Sequence, residues 1–133
     1  MRVMVDSCIY FDVLSNDPTW GAWSTRALEH AAESGFILLN AVIYAEVSAQ
    51  VETLESLQAI FPEEVFQYEP IPREAAFLAG KCHIAYRRRG GQKTTPLADF
   101  FIGAHAAVLD VPLLTRDVAR FQTYFPKIRL ITP

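Results

Sequence analysis

No run of apolar residues in this 133-residue chain approaches the roughly 20 needed to cross a bilayer, so no membrane span is expected. The opening residues, Met1-Arg2-Val3-Met4-Val5-Asp6, meet an acid too early to form the apolar stretch of a secretory signal, and a cytosolic protein is expected. Cysteine is scarce. Cys8 and Cys82 stand far apart without metal-type spacing, and in a reducing compartment both are expected as small buried hydrophobes with no chemical role. The glycine-rich phosphate loop and the dinucleotide fingerprint are both missing, which disfavours nucleotide hydrolysis and redox chemistry. His30, His83 and His105 fall singly in helical stretches, with no serine or cysteine nucleophile at a recognisable elbow, so no catalytic triad is indicated. Nor is there the basic excess of many nucleic-acid binders: 12 Lys and Arg face 15 Asp and Glu, a net charge of −3.

What is present suits one globular unit spanning residues 1–133. Hydrophobic residues make up 51% and charged residues 20%, enough apolar surface to offset the entropy of ordering a chain too short for two domains. Residues 2–5 predict a first strand, with Asp6-Ser7 capping a helix that places Ile9, Tyr10, Val13 and Leu14 at helical spacing. After the break at Asn16-Asp17-Pro18, a second helix is predicted over 20–34, with Trp20, Trp23, Ala27, Leu28 and Ala31 on one face and Gly35 closing it. Residues 36–39 read as a buried strand, and Asn40 as the cap of a third helix running, with a bend, from 41 to 60. A weaker strand follows at 65–68. Pro72 opens a helix to Tyr86, ended by Gly90-Gly91. Thr95 as cap and Pro96 in the first turn predict the start of the next, with Asp99 in its first turn. A strand at 111–115, a short helix opened by Asp117 and a last strand at 128–131 complete the order. Such alternation implies an α/β fold, a three-layer α/β/α sandwich around a parallel sheet of four or five strands. Ligands of such sheets bind beyond the carboxyl ends of the strands, where Asp6 and Asp117 fall.

Three acids interrupt otherwise apolar runs. Asp6 follows Val3-Met4-Val5, Glu46 shares a helical stripe with Val42, Ile43 and Ala49, and Asp99 stands among Leu97, Ala98, Phe100, Phe101 and Ile102. A buried carboxylate is costly unless it gains a partner, a metal or a proton. Taken singly, each has a plain alternative. Asp6 and Asp117 suit helix caps, Glu46 could face solvent between helices, and Asp99 could simply favour the positive end of its helix. Their order on strand ends and helix starts is what sets them apart.

In that order the sequence resembles the PIN-domain nucleases, and within them the VapC-like toxins of prokaryotic toxin–antitoxin pairs. The matching pieces are Val5-Asp6-Ser7, Ala45-Glu46-Val47, the run from Ala98-Asp99-Phe100 to Ala106, and Leu113-Leu114-Thr115-Arg116-Asp117, which together span nearly the whole chain. The resemblance implies an acidic quartet of Asp6, Glu46, Asp99 and Asp117, with Ser7 or Thr115 as neighbouring hydroxyls that orient a carboxylate or a bound water. Two positions depart from the pattern: Cys8 stands where a small polar residue is common, and Asp110 where a glycine is expected before the fourth strand.

Crowded carboxylates repel, and a hard divalent cation relieves them, so magnesium or manganese is the expected cofactor. Asp6 and Asp99 are expected to bind it directly, with Glu46 and Asp117 acting partly through water. A second ion arriving with substrate would allow two-metal hydrolysis of RNA, and the family implies attack by water and a 5′-phosphate product. Setting four acids aside leaves 11 against the 12 basic residues, so the acidic total does not exclude RNA. Arg87-Arg88-Arg89, Lys93 and Arg116 are the expected phosphate contacts, although a basic helix end before Gly-Gly is also ordinary capping. The resemblance further implies a cognate antitoxin and a homodimer, with the early helices and their Trp20 and Trp23 face contributing, a face equally suited to core. The rival readings are a PIN-like fold that binds RNA or protein without cleaving, a housekeeping RNA-processing nuclease, and a phosphoryl-accepting receiver domain. The last lacks an aspartate at the end of the strand at 65–68.

Overall fold

The computed structural model describes residues 1–133. Five short parallel strands form one sheet: β1 (Val3–Val5), β2 (Ile37–Leu39), β3 (Phe66–Tyr68), β4 (Leu113–Leu114) and β5 (Leu130–Ile131). Their order is β3-β2-β1-β4-β5, with Met4 paired to Leu38 on one side and Leu113 on the other. The chain thus builds outward from β1 to β3, returns, and builds outward again through β4 to β5. Right-handed crossovers put the helices of the first excursion on one face and those of the second on the other, giving the expected three layers. The first set comprises α1 (Ser7–Leu14), α2 (Gly21–Ser34), α3 (Ala41–Ser48) and α4 (Leu54–Ile60). The second comprises α5 (Arg73–Arg88), α6 (Ala98–Leu109) and α7 (Val118–Tyr124).

Covered on both faces, the three central strands carry only apolar residues, and Val3 to Val5, Ile37 to Leu39, Leu113 and Leu114 are all buried. They join a single core that includes Ile9, Tyr10, Ile43, Phe100, Ile102 and Phe121. Close packing of the second layer requires Gly103 on α6, where a Cβ would sit 2.3 Å from the ring of Phe125. No helix is long and apolar enough to cross a membrane.

Two helix boundaries differ from the sequence prediction. The helix expected over 41–60 is two helices, because Thr53 starts α4 afresh by accepting a hydrogen bond from the Ser56 N–H at 3.1 Å. The helix expected to start at Thr95-Pro96 starts instead at Ala98, behind an extended Leu97 that offers no side-chain cap. Leu97 packs against the core, so burial rather than cap chemistry sets this start. Asp99 keeps its place in the first turn. Asp110, standing in for the expected glycine, takes the left-handed conformation itself at φ 54°, ψ 49° and ends α6.

Candidate active site

The strand order reverses at β1, so the crevice beyond the carboxyl ends of β1 and β4 is where a ligand would bind in a sheet of this kind. Asp6 is the first residue past β1, and Thr115 the first past β4. The Thr115 hydroxyl donates to Asp6 Oδ2 at 2.8 Å and accepts from the Asp117 N–H at 3.0 Å, tying the two strand ends together. Asp6 Oδ1 accepts from the Ser7 N–H at 2.8 Å, and the Cys8 thiol donates to Oδ2 at 3.5 Å. Burial raises the Asp6 pKa, the three donors pull against it, and the Glu46 charge adds to the rise.

Ser7 completes the link to α3, donating its hydroxyl to Glu46 Oε1 at 2.6 Å. Asn40 at the end of β2 starts that helix, its Oδ1 accepting from the Ile43 N–H at 2.9 Å. Its amide nitrogen then donates to His105 Nδ1 on α6 at 3.0 Å, which leaves the proton of this neutral ring on Nε2. Burial lowers the His105 pKa, while the charge of Glu69 works the other way.

Asp99 stands half-buried at the start of α6. Its carboxyl is pushed up to about 6 by burial first and then by the charge of Asp6, with Glu46 and Asp117 adding and Arg120 opposing. The four acids therefore share one electrostatic field. Asp117 is exposed, and its Oδ1 accepts from the Arg120 N–H at 3.3 Å, so it also serves as the cap of α7. No three Asp, Glu, His or Cys side chains converge tightly enough to enclose an ion directly. A donor set of carboxylates spread in this way fits a hard cation that keeps most of its water and takes one or two carboxylates directly.

The expected basic residues are dispersed. Arg116 lies beside the site, but its Nε and Nη2 donate to Asp12 at 2.7 and 2.8 Å and its guanidinium lies 5.1 Å over the Trp20 ring. Arg87 folds onto the loop after α5, where Nη1 meets the carbonyls of Gly91, Gln92 and Lys93. Arg88, Arg89 and Lys93 are exposed, and Arg89 lies 5.5 Å over Tyr124. Trp23, Ala27 and Leu28 pack partly buried against the core.

Three features escaped the sequence reading. Asp12 is a buried acid in α1 that also accepts from Ser24 at 2.6 Å, and an acid among Ile9, Tyr10 and Val13 was the available signal. Arg120 follows Asp117 by one helical turn, which places a cation beside the acids. Cys8 touches Asp6 and is held as a thiol, pushed up to about 12 by burial and by the Asp6 charge. Both cysteines are free.

The PIN domain family model matches residues 3–124. No curated protein matches the sequence. Among solved structures, a chain of VapBC2 from Rickettsia felis bound to a promoter DNA fragment is similar over 99% of this chain and 98% of its own, at 18% identity and a TM-score of 0.71. VapBC-1 from nontypeable Haemophilus influenzae is similar over 99% and 98%, at 16% identity and a TM-score of 0.69. A toxin–antitoxin complex from Klebsiella pneumoniae is similar over 98% and 97%, at 20% identity and a TM-score of 0.68.

Proposed function

Because the chain belongs to the PIN-domain family, we propose that it is a magnesium- or manganese-dependent endoribonuclease, the toxin of a VapBC-type pair. The observation that carries this reading is the gathering of Asp6, Glu46, Asp99 and Asp117 at the switch point of the sheet, where burial first and the charges of the other three acids next push Asp99 up to about 6. Such a gathering is unfavourable in a protein that only folds, and it suits one that binds a divalent cation. Asp6 and Asp99 are the direct ligands, with Glu46 and Asp117 contributing through water. The ion, when bound, would lower the pKa of a bound water and neutralise charge on the cleaved phosphate.

The protein's own part is positioning. Ser7 fixes the Glu46 carboxylate, Thr115 fixes that of Asp6, and together they hold the ends of β1, α3 and β4 in one arrangement. Asp117, exposed beside the other acids, is the group we assign to take a proton from water. The cognate antitoxin is the proposed partner, supported by the toxin–antitoxin assemblies among the similar structures, and a homodimer is the proposed assembly.

Purified protein is expected to cut single-stranded RNA with magnesium or manganese and to stop in EDTA. Asp6→Asn and Asp99→Asn should each lower cleavage at least about 100-fold while far-UV circular dichroism stays native. Full cleavage by a folded Asp99→Asn variant would sink the metal assignment. Tight RNA binding without metal-dependent cleavage would favour the binding-only alternative. Growth arrest on expression, relieved by a small protein encoded immediately upstream, would separate a toxin from a housekeeping nuclease.

A further inference from the structure

Asn40 is the first residue past β2, as Asp6 is past β1 and Thr115 past β4, so it stands at the same end of the sheet as the acids. Two of the four are tied to neighbours by their side chains, Asp6 by Thr115, Ser7 and Cys8, and Glu46 by Ser7. Asp99 has no hydrogen-bond partner on the protein, and its position is therefore that of α6. That helix begins without a side-chain cap, and apart from Asp99 its only polar side chain is His105. Its other buried residues, Phe100, Ile102, Gly103, Ala104 and Ala106, pack without preferred direction. The bond from the Asn40 amide to His105 Nδ1, at 3.0 Å, is the one side-chain hydrogen bond that joins α6 to another element, and both residues are fully buried. It ties α6 to the residue that starts α3, the helix carrying Glu46. His105 Nε2, also buried, has no partner. An unpaired N–H makes histidine a costly way to fill this space, and what its directional bond supplies is one fixed arrangement.

We propose that His105 is a positioning residue for the metal site: through the Asn40 amide it sets α6 against α3, and so sets the separation of the Asp99 and Glu46 carboxylates. The inference rests on the metal-dependent nuclease reading. Each acid lies six residues from its half of the pair, about 9 Å along a stiff helix, so a shift at the bond is carried to the carboxylate rather than absorbed. A hydrated divalent ion held by one or two carboxylates demands near-ideal geometry, and its affinity falls when the groups that orient those carboxylates are lost. Fully buried, His105 touches neither ion nor RNA and acts only through Asn40.

The test is manganese binding to the full chain without RNA, read from the electron paramagnetic resonance of the free ion, beside steady-state cleavage of a single-stranded oligoribonucleotide, both well below Tm. His105→Leu, close in volume but without an acceptor, is expected to raise the manganese Kd and lower kcat by about ten-fold each, with KM for RNA unchanged. His105→Asn, whose Oδ1 falls near the place of Nδ1, should recover most of both. Asn40→Ser keeps an oxygen to cap α3 but loses the amide donor, and should match His105→Leu. It also decides the matter if His105→Leu does not fold. The double variant should lose no more than either single one. A residue that only stabilised the fold would lower Tm in these variants and leave Kd and kcat where they were. If the wild type binds manganese and cuts RNA while folded His105→Leu and Asn40→Ser keep its Kd and kcat, the positioning role is overturned and the metal reading stands. His105→Asn no better than His105→Leu overturns the role too, since the acceptor would then not matter. A wild type that neither binds manganese nor cuts RNA overturns the metal reading and this role with it.

Discussion

The carboxylate of Asp12 holds three donors at once, the hydroxyl of Ser24 and two nitrogens of Arg116, in a place only 3% exposed. This ties α1 and α2 to the loop that carries Thr115 and Asp117. Removing the partner of a buried charge costs more than the pair contributes. Arg116→Met is therefore expected to lower stability by about 2–3 kcal/mol in urea melts, less than for a fully buried pair because the arginine is partly exposed. A loss under about 0.5 kcal/mol would show that Asp12 finds water instead. His105 gives a second test. Neutral when folded, it has a pKa depressed below its unfolded value of about 6.5. Its contribution is thus complete above that value and is lost as pH falls, when the unfolded chain takes up a proton that the folded chain refuses. Protonation would also set an N–H against the Asn40 amide, whose oxygen is committed to capping α3. Relative to wild type, His105→Asn should flatten the fall in Tm between about pH 7 and 5. An unchanged slope would mean that other groups control it. That Asp6, Glu46, Asp99 and Asp117 would gather at one end of the sheet was legible in the sequence, because each acid broke an apolar run or stood at a strand end. Asp12 broke an apolar run in the same way, but its partner Arg116, like the setting of Arg120, could not be read until the layers were assembled.

Helix starts and stops show what local sequence can and cannot fix. Asn40, Gly35 and Pro72 mark boundaries where the structure has them, because capping and φ restriction act within a few residues. The start of α6 depends instead on burying Leu97, a tertiary contact, and Thr95-Pro96 alone suggested an earlier start. The strands are two or three residues long, so their apolar character was clear while their ends were not. At the other end of α6, Asp110 bears a left-handed conformation that costs an ordinary L residue roughly 1–2 kcal/mol and glycine almost nothing. Asp110→Gly is expected to stabilise the protein by about 0.5–1 kcal/mol, raising Tm by a few degrees in calorimetry. A lowered Tm would reveal a contact of the carboxylate that outweighs the backbone relief.

At the scale of the whole molecule, folding brings together carboxylates that repel one another. Metal-free protein should therefore be less stable than its neutralised variants, and ligand binding should recover the difference. Magnesium at ten times its Kd is expected to add about 1.4 kcal/mol, visible as a rise in Tm of several degrees. Metal-free Asp99→Asn should start with the higher Tm and gain less from the ion. Equal responses of variant and wild type would place the ion elsewhere. The three-layer arrangement followed from the alternation of elements, whereas the strand order that creates the crevice required the pairing of β1 with both β2 and β4.

That pairing also sets a timetable. Asp6 and the Thr115 that steadies it are 109 residues apart, and the strand between them and the site's completion is the fourth of five. During synthesis the emerging chain makes β1, β2 and β3 and their helices first, yet has no assembled acidic centre until β4 slots in beside β1. Under the proposed nuclease function, a nascent chain would leave the messenger that encodes it uncut until β4 has emerged and docked beside β1.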